Sequence, residues 1–117
     1  MLRFVILNHD HPHLHWDLLL EQFGKETLRT WRLEQPPAPG AVIQAEALPD
    51  HRRMYLDYEG PISGNRGEVQ RWDSGEYEVL LQTATEIVMR FEGTRIQGEA
   101  MLQCNESGTW TFKVQSG

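Results

Sequence analysis

The chain has 117 residues, 39% of them hydrophobic and 24% charged. This excludes a disordered chain and leaves room for one domain over residues 1–117, not two. Eleven Lys and Arg against seventeen Asp and Glu give a net charge of −6, which excludes a polybasic membrane or nucleic-acid module as a description of the whole chain but leaves a local basic groove open.

In chain order, the first predicted strand is Leu2 to Asn8. Its apolar run, Phe4 to Leu7, is too short for a signal-peptide core or a membrane helix. A cytoplasmic monomer with no membrane partner is therefore expected. Leu14 to Gln22 and Thr27 to Leu33 follow as strands, and Pro36-Pro37-Ala38-Pro39-Gly40 reads as a stiff loop. Ala41 to Ala47 is the next strand, and Pro49 marks a break. Met54 to Tyr58 is predicted as a strand, with a short helix near 50–56 as the alternative, and Pro61 marks another break. Glu68 to Trp72, Tyr77 to Leu81, Ile87 to Phe91, Ala100 to Cys104 and Thr109 to Val114 complete the set. Short alternating runs divided by glycines, without a capped helix of period 3.6, predict an all-β barrel or sandwich. Cys104 is the only cysteine, so neither an intrachain disulfide nor a cysteine-rich zinc site can form, as suits a reducing compartment.

His9, His11, His13, His15 and Asp17 all occupy odd positions. Pro12 interrupts any single strand through them. The expected arrangement is a loop from Asn8 to His13 and a strand from Leu14 onward. His15 and Asp17 are then neighbours on one face, and His9 arrives from the preceding strand. Two imidazoles and a carboxylate suit Mn, Fe, Zn or Co and leave positions open for water or substrate oxygens. The plain alternative is a solvated histidine loop. His11 and His13, flanking Pro12, are expected to be bystanders.

The segment from His9 to Glu21 resembles the H-x-x-x-x-L-H-x-D-L-R-L-E motif of the 3′-phosphoesterase domain of bacterial DNA ligase D. Phe4-Val5-Ile6 is similar to that family's opening strand. Thr30-Trp31 with Pro36-Pro37 resembles its S-W…P-K-G-P segment, and Asp50 to Gly60 its D-H-P-x-x-Y-x-x-F-E-G segment. Trp72-Asp73-x-Gly75 and the stretch from Gly93 to Leu102 are similar to its later turn and hairpin. The order and spacing hold over most of the chain.

The resemblance implies a compact antiparallel β-barrel with an open polar groove and at most short helices. It implies a Mn²⁺-dependent enzyme, with Zn²⁺ or Co²⁺ as other candidates. Such an enzyme removes 3′-terminal ribonucleotides and 3′-phosphates from DNA ends during non-homologous end joining. Its partners would be nucleic-acid 3′ ends and separate ligase or polymerase proteins. His9, His15 and Asp17 match the family's metal ligands. His51 matches a phosphate-contacting histidine and Tyr55 a tyrosine that hydrogen-bonds the phosphate.

The chain also departs from the family. Leu19 stands where the family has the arginine expected to grip the scissile phosphate, a role leucine cannot fill. The family's lysine after the Trp motif has no counterpart at Leu33-Glu34-Gln35, and a second arginine is replaced near Ile43. Arg52, Arg53 and Arg66 are the candidate substrate-binding replacements. Arg29, Arg32 and Arg71 are further ones, and solvated surface arginines are the alternative for each. Trp16, Trp31, Trp72 and Trp110 read as core, and Glu21 as the solvated end of its strand. Two other functions stay open: a degenerate relative that binds metal and a nucleic-acid end or protein without cleaving, and a non-haem iron oxygenase.

Overall fold

The computed structural model describes residues 1–115; the last two positions of the expected domain lie outside the described residues. Among the described residues nine strands form: β1 (Leu2–His9), β2 (His15–Glu21), β3 (Thr27–Leu33), β4 (Val42–Arg52), β5 (Gly60–Pro61), β6 (Glu68–Gln82), β7 (Glu86–Gly93), β8 (Gln97–Cys104) and β9 (Trp110–Val114). A single 3₁₀ turn, Arg53–Leu56, follows β4. Neighbours pair in the order β1-β2-β3-β4-β9-β8-β7-β6, and β6 pairs back onto β1. This closes eight antiparallel strands into a barrel, as predicted, and leaves little unpaired edge. Among the described residues, no helix is long and apolar enough to cross a membrane.

Side-chain alternation divides the apolar residues between two faces. Phe4 and Ile6 of β1, Leu18 and Leu20 of β2, and Trp31 and Leu33 of β3 join Met89, Phe91, Leu102 and Phe112 in the barrel interior. Val5, Leu7, Leu19, Leu28 and Val69 form a second cluster on the opposite face, capped by Leu56 from the 3₁₀ turn. Burial on both faces explains why Phe4–Leu7 and Leu18–Leu20 are continuous apolar runs. Each fully buried Leu or Phe contributes roughly 1.5–3 kcal/mol. Trp31 is buried, and Trp16, Trp72 and Trp110 pack half-buried against the interior, in line with their reading as core.

Three elements differ from expectation. Met54 to Tyr58 is not a strand: residues 53–56 make the 3₁₀ turn that delivers Leu56. Pro49 does not end β4, which runs on to Arg52. β9 pairs β4 only up to Ala45, so Pro49 has no ladder partner to deprive on that side, and the β3–β4 register shifts beside it. The two strands expected over 68–81 are one 15-residue strand. It continues through Gly75, which sits opposite Gly93. A Cβ on Gly75 would overlap the Glu92 carbonyl oxygen and lie 2.9 Å from Gly93 Cα. The glycine permits close strand approach here instead of marking a turn.

Candidate metal centre

β1 and β2 are adjacent and antiparallel, with His9 opposite His15 and Leu7 opposite Asp17. The two histidines and the aspartate therefore share the face that carries the second apolar cluster. One ligand atom from each lies within 4.8 Å of the others. His15 Nε2 is 3.3 Å and His9 Nδ1 3.9 Å from Asp17 Oδ2. His15 is fully buried and Asp17 nearly so. His9 is half-buried at the cavity wall.

Both imidazoles are held by their other nitrogen. His9 Nε2 donates to the Arg66 carbonyl at 2.9 Å, and His15 Nδ1 to the His13 carbonyl at 2.9 Å. A carbonyl oxygen can only accept, so each neutral ring carries its proton on that side. The remaining lone pairs, on His9 Nδ1 and His15 Nε2, face the Asp17 carboxylate. His15 Nε2 and Asp17 Oδ1 are buried without a hydrogen-bond partner among the described residues. Acceptor facing acceptor in a buried place is costly, and a cation relieves it. The donor set thus fits a divalent transition metal, oriented as metal-binding histidines are by backbone carbonyls. Without a metal, burial opposes a charge on His15, but hydrogen bonding and attraction from Asp17 outweigh it and raise the pKa above its ordinary value.

The loop between His9 and His15 is fixed by Gly67. Asp10 Oδ1 accepts from Glu68 N at 2.8 Å. Gly67 has φ +73°, and a Cβ there would overlap Asp10 Oδ1 and lie 2.8 Å from His11 Cβ. His11 and His13 stand outside the trio. His13 is exposed, its Nε2 4.0 Å from Glu34 and its ring 5.9 Å from that of His15.

A cavity of about 240 Å³ opens beside the trio, lined by His9, Asp17, His51, Arg52, Tyr55 and Arg66 together with Leu7, Asp50, Ile62 and Val69. β4 brings His51 there, and the 3₁₀ turn brings Tyr55, their rings 6.1 Å apart. His51 Nδ1 donates to the Pro49 carbonyl at 3.1 Å, which leaves Nε2 free of that bond. Asp50 anchors this stretch by accepting from Thr27 Oγ1 at 2.8 Å and Gln22 Nε2 at 3.0 Å. The Thr27 bond is the leading reason that its carboxyl is held below the usual range. Arg66 is partly tied down, its Nε donating to the Ser63 carbonyl at 2.7 Å.

Arg53 does not join this cavity. It pairs with Glu21, which is buried and not the solvated strand end expected. Glu21 also accepts from the Arg3 backbone N–H at 2.9 Å. Burial pushes the Glu21 carboxyl up, but the Arg3 N–H and the Arg53 guanidinium more than offset this and bring its pKa below the ordinary value. Glu21 shares the parity of His15 and Asp17, a signal that was present in the sequence. The role of the Arg66 carbonyl left no such signal, because any residue type supplies one. Leu19 is fully buried in the second apolar cluster, so no cation occupies the position of the family's arginine.

Fold and site together define an all-β barrel with an open two-histidine, one-carboxylate centre beside a polar cavity. The chain belongs to the DNA ligase D 3′-phosphoesterase domain family, whose model matches residues 7–104. It is similar to the multifunctional non-homologous end joining protein LigD of Pseudomonas aeruginosa, 34% identical over 85 residues. That match covers 68% of this chain and 10% of the length of that protein.

Proposed function

We propose that the chain is a metal-dependent phosphoesterase that trims nucleic-acid 3′ ends during end joining, by removing a terminal ribonucleotide or 3′-phosphate. The observation that carries this is the pair of backbone-oriented imidazoles whose free lone pairs converge with a buried carboxylate. His9, His15 and Asp17 would hold Mn²⁺, or Zn²⁺ or Co²⁺. When bound, such an ion neutralises charge on a phosphate and lowers the pKa of a hydroxyl. The chain's own residues do the rest. His51 presents Nε2 to the cavity and can protonate a leaving oxygen or bind a phosphate oxygen. Tyr55 offers a phenolic donor from the adjacent turn, and Arg52 and Arg66 add positive charge at the rim. Leu7, Ile62 and Val69 supply the apolar part of the cavity lining. DNA ends, and ligase or polymerase proteins acting at the same break, are the proposed partners.

Leu19 favours a second reading, in which the site binds metal and a nucleic-acid end without cleaving it. An end-trimming assay decides between them. A 5′-labelled primer–template ending in one ribonucleotide, and a matching 3′-phosphate primer, are incubated with Mn²⁺ or with chelator. Mn²⁺-dependent shortening or dephosphorylation supports the enzyme. Binding of the primers without product supports the second reading.

A further inference from the structure

We propose that Arg32 is the phosphate-binding cation that takes the place of the arginine missing at position 19, an inference that rests on the end-trimming assignment above.

The β2–β3 register sets Asp17 directly opposite Arg32. Trp31 and Leu33 enter the barrel interior, so Arg32 between them emerges on the face that carries Asp17 and Leu19. A directly opposed residue stands about 5 Å from Asp17 across the strands, and a residue two positions along the same strand about 6–7 Å away. An arginine at 32 therefore starts as near the metal centre as one at 19 would, but from the neighbouring strand. It lies on the side of Asp17 away from His9, outside the cavity lining.

The condition of the side chain supports this role. Arg32 is only 26% exposed, and its one ion pair among the described residues is a loose 3.9 Å contact to Glu46, which is 64% exposed. Its Nε is buried and has no hydrogen-bond partner among the described residues, an unmet donor of a kind that is costly to leave unmade. Arg53 and Arg66 have more of their capacity committed; Arg52, at the cavity rim, has no ion pair among the described residues and Arg71 only an equally loose one, but Arg32 is the arginine set directly opposite Asp17. Arg53 is paired with Glu21, Arg66 donates to the Ser63 carbonyl, the Arg71 guanidinium is 3.9 Å from Glu59, and Arg29 lies over the Trp31 ring at 4.6 Å. A guanidinium with open donors beside a carboxylate-bearing metal centre matches a phosphate oxygen and repels a second metal ion.

The test compares wild type, Arg32→Gln and Arg32→Lys on the two primers described above. It measures trimming with Mn²⁺, and end binding by fluorescence anisotropy across roughly 50–300 mM salt. Arg32→Gln is expected to weaken end binding about tenfold and reduce the salt slope by about 1, with Arg32→Lys keeping the slope. Mn²⁺ affinity should stay equal or rise in Arg32→Gln, and its thermal midpoint should match wild type. A wild type that trims or binds while Arg32→Gln is indistinguishable from it overturns the inference alone. So does a weakening explained by lost Mn²⁺ binding or lost fold. A wild type that binds and trims neither primer overturns the end-trimming assignment and the inference with it.

Discussion

His15 Nε2 lies 3.3 Å from Asp17 Oδ2, two buried groups one alternation apart on β2, with the neutral imidazole's Nδ1–H already donating to the His13 carbonyl. Lone pair faces lone pair, so the site has room for one positive species, a proton or a metal ion. Lowering the pH protonates His15 and opposes metal binding. Because Asp17 raises the His15 pKa despite burial, competition begins above the ordinary histidine value of about 6.5. Mn²⁺ affinity is expected to fall as pH is lowered from about 8 to about 6, and calorimetric titrations at several pH values check this. In Asp17→Asn the binding weakens, and the midpoint of whatever pH dependence remains moves lower.

Gly67 holds the backbone that orients His9. Gly67→Ala forces a left-handed residue and a clash with Asp10 and His11. It is expected to cost about 1–3 kcal/mol of stability. It also displaces the Arg66 carbonyl that fixes His9, so Mn²⁺ affinity should fall about 10–100-fold. Denaturant titration and metal titration on the same variant measure both effects.

Glu21 ties β1, β2 and the 3₁₀ turn together through the Arg3 N–H and Arg53. Glu21→Gln should cost about 1–3 kcal/mol and lower trimming activity, since the turn it anchors also carries Tyr55. Its folded pKa is depressed, so its contribution is present above the unfolded value near 4.3 and is lost as pH falls through the folded value. Acid unfolding followed by circular dichroism should begin at higher pH in the variant than in wild type.

Tyr77 reports on the same region from the barrel interior. Its hydroxyl donates to the Glu21 carbonyl at 2.6 Å. Burial first, and the Glu21 carboxylate second, push its pKa up to about 12. The neutral form is thus favoured on folding. That contribution, about 2–3 kcal/mol, is complete below the unfolded value near 10 and disappears as pH rises to about 12. A late tyrosinate absorbance step, absent in Tyr77→Phe, with loss of fold over the same interval, is the expected result.

Much of this was legible in the sequence. Period-two alternation and glycine spacing located most of the strands, because barrel strands must alternate between interior and exterior. The H-x₅-H-x-D spacing placed His9, His15 and Asp17 on facing strand ends. What escaped depends on contacts distant in sequence. Met54–Tyr58 alternates like a strand, yet Leu56 is needed as a cap on Leu7 and Leu19, so the chain turns there. Arg52 and Arg53 are equivalent as letters. Only the path of the 3₁₀ turn sends one to the cavity and the other to Glu21. Gly75 looked like a turn signal because the close approach of Glu92 cannot be read from β6 alone.

The central claim is that His9, His15 and Asp17 form one metal site. Titration of Mn²⁺ into wild type and His15→Ala, followed by the electron paramagnetic resonance signal of free Mn²⁺, tests it most directly, with circular dichroism confirming that both proteins are folded. The expected result is one ion per chain in wild type and an affinity at least about 100-fold weaker in the variant. Equal Mn²⁺ affinity in a folded His15→Ala protein would contradict the account.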